Sequence, residues 1–167
     1  QFHDYCSNEQ ISSEQEENSE LSICYVGGIY SGNGSIEWAD SFCECARMCA
    51  INHCHFHVYP FTWNEEILAD YIELDRENAY FHLHHPRAIS PQISKYDYGV
   101  FPIKRTYFEK GLTLRQGQTL LVYRKEELMY ATGNKYFDYL DAGLPIIAAC
   151  PQKLMRFFEA KGVLLNW

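Results

Sequence analysis

The stretch that decides the fold is residues 22–59, SICYVGGIYSGNGSIEWADSFCECARMCAINHCHFHVY. It opens with a short apolar run, Ser22–Val26, which predicts a buried strand, and continues through a loop of glycine, serine and asparagine that ends at Ser35. Apolar residues then recur three and four positions apart over Ile36–Ala50, which is the spacing of one helix face. A second strand-like run, Cys54–Tyr59, follows. The stretch therefore predicts a strand, a helix and a second strand.

The same alternation continues along the rest of the chain. Further helices are predicted at 64–74, 90–95, 135–142 and 154–160, and further strands at 79–83, 98–101, 120–123, 146–149 and 163–165. Residues 102–118 are basic and show no clear period, so we expect a long loop or a helical turn there. Alternation of this kind predicts an α/β fold, a Rossmann-like doubly wound parallel sheet of about six strands with helices on both faces. In such sheets ligands bind at the carboxyl ends of the strands.

The negative charge is concentrated at the beginning of the chain. The 167 residues carry a formal net charge of −8, and residues 1–20 hold six acidic residues and no Lys or Arg. The remaining residues hold 16 acidic and 14 basic side chains. We therefore expect an acidic flexible linker at 1–20 and one domain at 21–167. A nearly neutral domain lacks the basic face that nucleic-acid binding needs, and no apolar run reaches the roughly 20 residues that span a bilayer.

Two loops are candidates for binding chemistry. Residues 26–35, VGGIYSGNGS, place a glycine-rich turn between the first strand and the first helix, where backbone N–H groups can approach a phosphate. The turn is neither G-x-G-x-x-G nor a Walker loop, so a turn that only needs positive φ remains an alternative. On the helix predicted at 135–142, Lys135 and Asp138 share a face. A cation at a helix start is unfavourable unless it meets an anion, although a surface Lys–Asp pair is the alternative.

The histidines invite a metal interpretation that we do not favour. His55 and His57 lie on one face of a predicted strand, and His82 and His84 lie on one face of the next. If these strands are neighbours, four imidazoles approach each other. No carboxylate or cysteine completes a familiar ligand spacing, so hydrogen bonding to backbone or ligand is favoured and no metal site is expected.

The seven cysteines also match no zinc-binding spacing. The four closest together are Cys43, Cys45, Cys49 and Cys54, separated by one, three and four residues. We expect reduced structural thiols in a cytosolic protein, with a disulfide or a metal role as the alternative.

Residues 136–148, YFDYLDAGLPIIA, closely resemble the segment F-E-Y-L-A-A-G-L-P-V-V-A of GT-B glycosyltransferases. This segment belongs to the C-terminal, donor-binding Rossmann domain of the glycosyltransferase family 4 type. Residues 25–38, YVGGIYSGNGSIEW, resemble the first strand and glycine loop of that domain, and residues 79–102 resemble its strand, short helix and following strand. The resemblance covers residues 21–167, and Gly143-Leu144-Pro145 is its most specific part.

The resemblance implies a donor-binding role for seven residues. They are Gly27 and Gly28, beside the diphosphate; His84 and His85, near the base; Asn134 and Lys135, facing the phosphates or the sugar; and Asp138, at the ribose. Asp138 stands where the family usually has Glu.

The chain departs from the family pattern in two places. Tyr130 occupies the position where the family often has a second Glu, and no Lys or Arg lies between Gly28 and Arg47 to neutralise the diphosphate. A diphosphate needs charge-assisted contacts, and these could come from basic residues later in the chain. The candidates are Lys135, Lys104, Arg105 and Arg115.

The function implied by the resemblance is that of part of an enzyme. The complete glycosyltransferase would move a sugar from a nucleotide-diphosphate sugar to an acceptor held by a missing N-terminal domain, and this fragment alone would bind the donor without turnover. The catalytic residues are not identified, no metal or other cofactor is expected, and the enzyme would be cytoplasmic, with any peripheral membrane contact made by the missing domain. One alternative is a non-catalytic nucleotide-binding module. A nicotinamide-binding Rossmann domain is less favoured, because Pro60 stands where its acid would end the second strand.

Overall fold

Strands and helices alternate in the order that the hydrophobic pattern predicts. A computed structural model describes residues 20–29, 36–61, 65–85, 90–102, 112–116, 119–124, 135–148 and 164–166. The strands are β1 Ser22–Gly27, β2 His55–Pro60, β3 Phe81–Leu83, β4 Tyr98–Phe101, β5 Leu112–Gln116, β6 Thr119–Tyr123, β7 Ile146–Ala148 and β8 Leu164–Asn166. The helices are α1 Ile36–Ile51, α2 Glu65–Glu77 and α3 Lys135–Asp141, with a 3₁₀ helix at Ser90–Lys95. The helix predicted at 154–160 lies outside the described residues.

Six of these strands form one parallel sheet in the order β3-β2-β1-β4-β7-β8. The chain runs outward from β1 to β3 and then returns to the other side of β1 with β4. This order, with a reversal between β1 and β4, is that of a doubly wound Rossmann-like sheet. The predicted α/β fold class is confirmed.

Helices cover both faces of the sheet. On one face Phe42 of α1 packs against Tyr25 of β1 and Phe56 of β2, with ring centroids 4.8 and 6.0 Å apart. On the other face α3 lies so close to β4 that the ring of Tyr139 occupies the space where a side chain of Gly99 would stand. All five of these residues are buried or lack a side chain, so the sheet is the centre of the core.

The prediction of a loop at 102–118 is wrong for residues 112–116. These residues form β5, which pairs antiparallel with β6, for example Leu114 opposite Leu121. The strand predicted at 120–123 therefore belongs to a separate hairpin and not to the main sheet. The alternating Leu-Thr-Leu pattern and Gly117 in the two-residue connection carry the signal for such a hairpin.

Within the described part of the chain, no helix is long and apolar enough to cross a membrane.

Candidate functional site

The strands β1 and β4 pair at their amino ends and are bridged by a side chain further along. Their register joins Ile23 to Tyr98 and Cys24 to Gly99. Beyond this point the hydroxyl of Tyr139 accepts a hydrogen bond from the Val26 N–H at 3.1 Å and donates one to the Val100 carbonyl at 3.0 Å. A side chain of α3 thus links the two strands at the switch point of the sheet.

Tyr139 reaches the main chain because β4 carries a glycine there. A Cβ on Gly99 would overlap the Tyr139 ring, which is 0% exposed. Burial raises the pKa of Tyr139 well above its ordinary value, so the hydroxyl stays protonated and can donate. Tyr139 was not among the residues predicted from the sequence. The signal for it was the glycine inside the strand YGVF, because such a glycine often marks the close approach of another chain segment.

The turn after β1 is built around Gly27, whose φ is +153°. Its carbonyl accepts a hydrogen bond from the Phe61 N–H at 3.1 Å, and the Tyr25 hydroxyl donates to the Gly28 carbonyl at 2.8 Å. A Cβ on Gly27 would lie 2.8 Å from the Tyr25 hydroxyl oxygen and 3.0 Å from Cε of Lys135. The turn therefore needs glycine for its backbone and for the lysine side chain that lies against it.

The ammonium group of Lys135 lies over two aromatic rings at the carboxyl ends of β1 and β4. Its Nζ is 4.6 Å from the centre of the Phe101 ring and 5.4 Å from that of Tyr25. Such cation–π contacts help to hold an ammonium in place. The structure thus brings the predicted Lys135 to the predicted Gly27.

Asp138 lies one helical turn after Lys135 and is exposed. Partial burial of its carboxylate and the nearby charge of Asp141 raise the pKa of Asp138, while the charge of Lys135 lowers it. We call Gly27, Gly28, Phe101, Lys135 and Asp138 together the switch-point site. It combines a fixed cation, an acceptor carboxylate and a close-approach turn at the edge where doubly wound sheets bind ligands.

The other predicted site residues are not part of this cluster. His84 and His85 follow β3, which lies two strands from β1, or about 10 Å along the sheet at the usual strand spacing. His84 stacks on Tyr59, with ring centroids 4.4 Å apart, and His85 is exposed. Asn134 lies outside the described residues, so its predicted role is not examined by the structure.

Of the other candidate cations for a diphosphate, Lys104 and Arg105 lie outside the described residues. Arg115 lies in the β5–β6 hairpin, opposite Leu120. Lys135 is therefore the candidate cation for which the structure gives a position at the switch point.

Four imidazoles do approach each other, as the sequence predicted for the case of neighbouring strands. We call His55, His57, His82 and His84 the histidine ladder. His57 of β2 lies directly opposite His82 of β3 in the parallel register. Among the described residues, no group of three or more His, Cys, Asp or Glu is arranged to hold a metal ion. The absence of a metal site stays a prediction.

The described cysteines form no disulfides, which agrees with the expected structural thiols. Cys45, Cys49 and Cys54 are buried close together where α1 ends and β2 begins. A hydrogen bond with Cys45 is the main cause that raises the pKa of Cys49 to about 12. Thiols of this kind are poor nucleophiles at neutral pH.

No protein-family model matches this chain, and no curated protein sequence matches it. Among solved structures, it is similar to the pneumococcal O-GlcNAc transferase GtfA, solved in complex with UDP and GlcNAc, at 14% identity and a TM-score of 0.42. The match covers 75% of this chain and 20% of the transferase chain. A likeness at this level assigns no function, so the chemistry of the switch-point site has to support one.

Proposed function

We propose that this chain is the donor-binding part of a GT-B glycosyltransferase. The complete enzyme would transfer a sugar from a nucleotide-diphosphate sugar to an acceptor held by an N-terminal domain. The observation that carries the proposal is the Lys135 ammonium, which lies against Gly27 between the carboxyl ends of β1 and β4. A cation held beside a glycine turn at this point suits a diphosphate, which needs charge-assisted contacts and close approach of the backbone.

The remaining residues of the site can recognise the rest of the donor. The Asp138 carboxylate lies on the same helix as Lys135 and can accept hydrogen bonds from the ribose hydroxyls. His84 and His85 lie at the same edge of the sheet, two strands away, where the base would lie. In this proposal the cation would bind the diphosphate, the carboxylate the ribose and the histidines the base, as the resemblance implies.

Sugar transfer would rest on stabilisation of the leaving group. The bond between the anomeric carbon and the diphosphate oxygen breaks, and the electron pair leaves with the diphosphate. Lys135 would stabilise this developing charge electrostatically, in a site where it is already held by two aromatic rings. The acceptor hydroxyl oxygen forms the new bond to the anomeric carbon and gives up its proton, and any base that takes this proton would lie in the N-terminal domain. No metal is needed for this scheme.

The geometry of the segment Gly143-Leu144-Pro145 also supports the proposal. Gly143 has φ +73° directly after α3, and Leu144 is buried, so the segment ends the helix and turns the chain into β7. The stretch of sequence with the most specific resemblance therefore has a defined structural task, which is to hold α3 and its two charged residues over the switch point.

Isothermal titration calorimetry tests the proposal with UDP, GDP, their sugar conjugates and NAD as ligands. We expect saturable binding of a UDP or GDP compound and none of NAD. Lys135→Met keeps the aliphatic stem on the rings and removes the charge, and it should weaken binding about tenfold or more, as for a lost hydrogen bond to a charged group. Asp138→Asn should also weaken it.

Lys95→Met is the matched control for the loss of a lysine charge. Its ammonium also lies over an aromatic ring, 5.2 Å from the centre of Tyr96, but the residue comes just before the amino end of β4. Its affinity for the diphosphate compounds should stay within about twofold of the wild type, since this exposed lysine lies before the amino end of β4 and the proposed diphosphate site lies at the carboxyl end. Binding of NAD alone, or of no ligand, contradicts the proposal. A longer natural chain that binds donor but neither transfers nor hydrolyses it would instead indicate the binding module.

A further inference from the structure

The strand β3 is an edge strand with few attachments. It has three residues, and among the strands that the structure describes it pairs with β2 alone. On the face covered by α1 and α2, Phe81 packs against Phe56 with ring centroids 5.6 Å apart. The Leu83 N–H donates to Asp75 Oδ1 of α2 at 2.9 Å. On the opposite face, the histidine ladder connects β3 to β2.

The ladder consists of two hydrogen-bonded pairs of imidazoles. His55 Nδ1 lies 2.7 Å from His82 Nε2, and His57 Nδ1 lies 2.8 Å from His84 Nε2. Neighbouring rings within and between the pairs are nearly parallel, with interplanar angles of 21° to 28° and centroids 4.5 to 5.1 Å apart. In each pair one nitrogen has to donate and the other has to accept, so at least one imidazole of each pair is neutral while the bond exists.

A pair can share one proton but not two. When both imidazoles are protonated, all four of their nitrogens are donors, so two N–H groups and two positive charges face each other within hydrogen-bond distance. We propose that the histidine ladder is an acid-sensitive latch, which fastens the edge strand β3 to β2 while each pair keeps a neutral imidazole and releases the strand when both members of a pair are protonated. This inference goes beyond the proposed function and does not depend on it.

Charged groups from three other elements face the ladder. Glu20, before β1, accepts a hydrogen bond from His55 Nε2 at 2.8 Å. Burial lowers the pKa values of His82 and His84, and the charge of Asp75 on α2 opposes this effect at both residues. The charge of Lys95 on the 3₁₀ helix lowers the pKa of His84 further. The neighbouring aromatic rings are those of Tyr59, Tyr80 and Tyr96.

In the pair nearer the carboxyl ends of the strands, His57 and His84, burial affects the pKa values more than these charges do. Burial, followed by the charges of the other ladder imidazoles, lowers the pKa of His57 to about 3. Burial also lowers the pKa of His84. The pair of His57 and His84 therefore excludes protons while the latch is closed, and this pair gives the latch its sensitivity to acid.

The sign of the pH dependence follows from proton linkage. A released imidazole has its ordinary pKa of about 6.5, while His57 and His84 have lower values in the closed latch. The released strand therefore binds more protons, and release becomes easier as the pH falls below 6.5. Between pH 7.5 and 5.5, each imidazole that excludes a proton raises the equilibrium constant for release of β3 about tenfold. Ordinary carboxylates remain ionised in this range.

Amide hydrogen exchange of the wild-type chain tests the latch at pH 7.5, 6.5 and 5.5. The amides to follow are those of β3 and the His84 N–H, which bonds to the Val58 carbonyl. Their protection, corrected for the intrinsic exchange rate, should fall about tenfold or more between pH 7.5 and pH 5.5. Protection in β4 should change less than about threefold, because that strand lies in the centre of the sheet. Equal changes in β3 and β4, or no change in either, would overturn the proposal.

The double variant His57→Gln, His84→Gln should remove most of the pH dependence, because it replaces the pair that excludes protons most strongly by glutamines, which do not titrate in this range. Its β3 amides should exchange faster than wild type at pH 7.5 but change less than about threefold down to pH 5.5. His53→Asn is the matched control, because it removes an exposed imidazole that bonds to Tyr80 outside the ladder. This control should show the same fall in β3 protection between pH 7.5 and pH 5.5 as the wild type. A double variant that keeps the fall contradicts the latch.

If the double variant does not fold, nitrogen-15 spectra of the wild-type imidazoles decide the question. We expect His57 and His84 to stay neutral at pH 6, which lies below the ordinary imidazole pKa of about 6.5. Imidazoles of the ladder that all titrate near pH 6.5, with no change in β3 protection, would overturn the proposal.

Discussion

At the scale of one residue, the Tyr139 hydroxyl replaces part of the backbone hydrogen bonding between the strands β1 and β4. Its oxygen bonds both to the Val26 N–H and to the Val100 carbonyl, and the ring is 0% exposed. Tyr139→Phe keeps the ring and leaves both main-chain groups buried without this partner. We expect it to lower the free energy of unfolding by about 1–3 kcal/mol, which chemical denaturation measures. Tyr80→Phe, which loses a surface bond to His53, should cost less than about 1 kcal/mol. Equal costs for the two variants would contradict the bridging role.

The same residue marks the limit of what the sequence could predict about the site. Lys135 and Asp138 were predicted from their spacing on a helix, and Gly27 from its place after a buried strand, because both signals are local. Tyr139 acts through groups on β1 and β4 that are 113 and 39 residues away in sequence. No local pattern contains these distances. Only the strand order of the sheet brings the groups together.

At the scale of the element, substitutions of two glycines beside α3 test how this helix is held over the sheet. Gly99 leaves room for the Tyr139 ring, and Gly143, with φ +73° and open space around its Cα, turns the chain after the helix. Gly99→Ala places a methyl group inside a buried ring that cannot move away, so we expect a loss of about 3 kcal/mol or failure to fold. Gly143→Ala should cost about 1–2 kcal/mol, the strain of a left-handed alanine.

Gly143→Asn is the control for this pair of variants, because asparagine tolerates the left-handed conformation. It should cost less than Gly143→Ala when both are measured by denaturation. If Gly99→Ala costs no more than Gly143→Ala, the close packing of α3 on β4 is not what holds the helix.

Whole elements were predicted better than their partners in the sheet. The strands over 22–59 and the helix of Lys135 were predicted because each carries its own local signal, which is a short apolar run in the strands and helical spacing in the helix. The β5–β6 hairpin was missed in part, because Arg115 and Gln116 interrupt its apolar pattern and its two strands are only five residues long. A short strand becomes recognisable only with its partner, and pairing is a property of two segments rather than of one.

At the scale of the whole molecule, the stability of the fold should depend on pH through the histidine ladder. The native fold lowers the pKa of His57 to about 3 and lowers the pKa values of His82 and His84, so the unfolded chain binds more protons below pH 6.5. The free energy of unfolding should therefore fall by at least about 1 kcal/mol between pH 7 and pH 5, after allowance for the partial exposure of the rings. Asp138, whose pKa is raised in the fold, acts in the opposite direction, but its effect belongs to the lower pH range in which carboxylates titrate. Urea denaturation at both pH values measures the difference, and the variant His57→Gln, His84→Gln should reduce it. Stability that is equal at pH 7 and pH 5 would mean that the imidazoles take up protons in the native fold as readily as in the unfolded chain, which the two close hydrogen-bonded pairs do not permit.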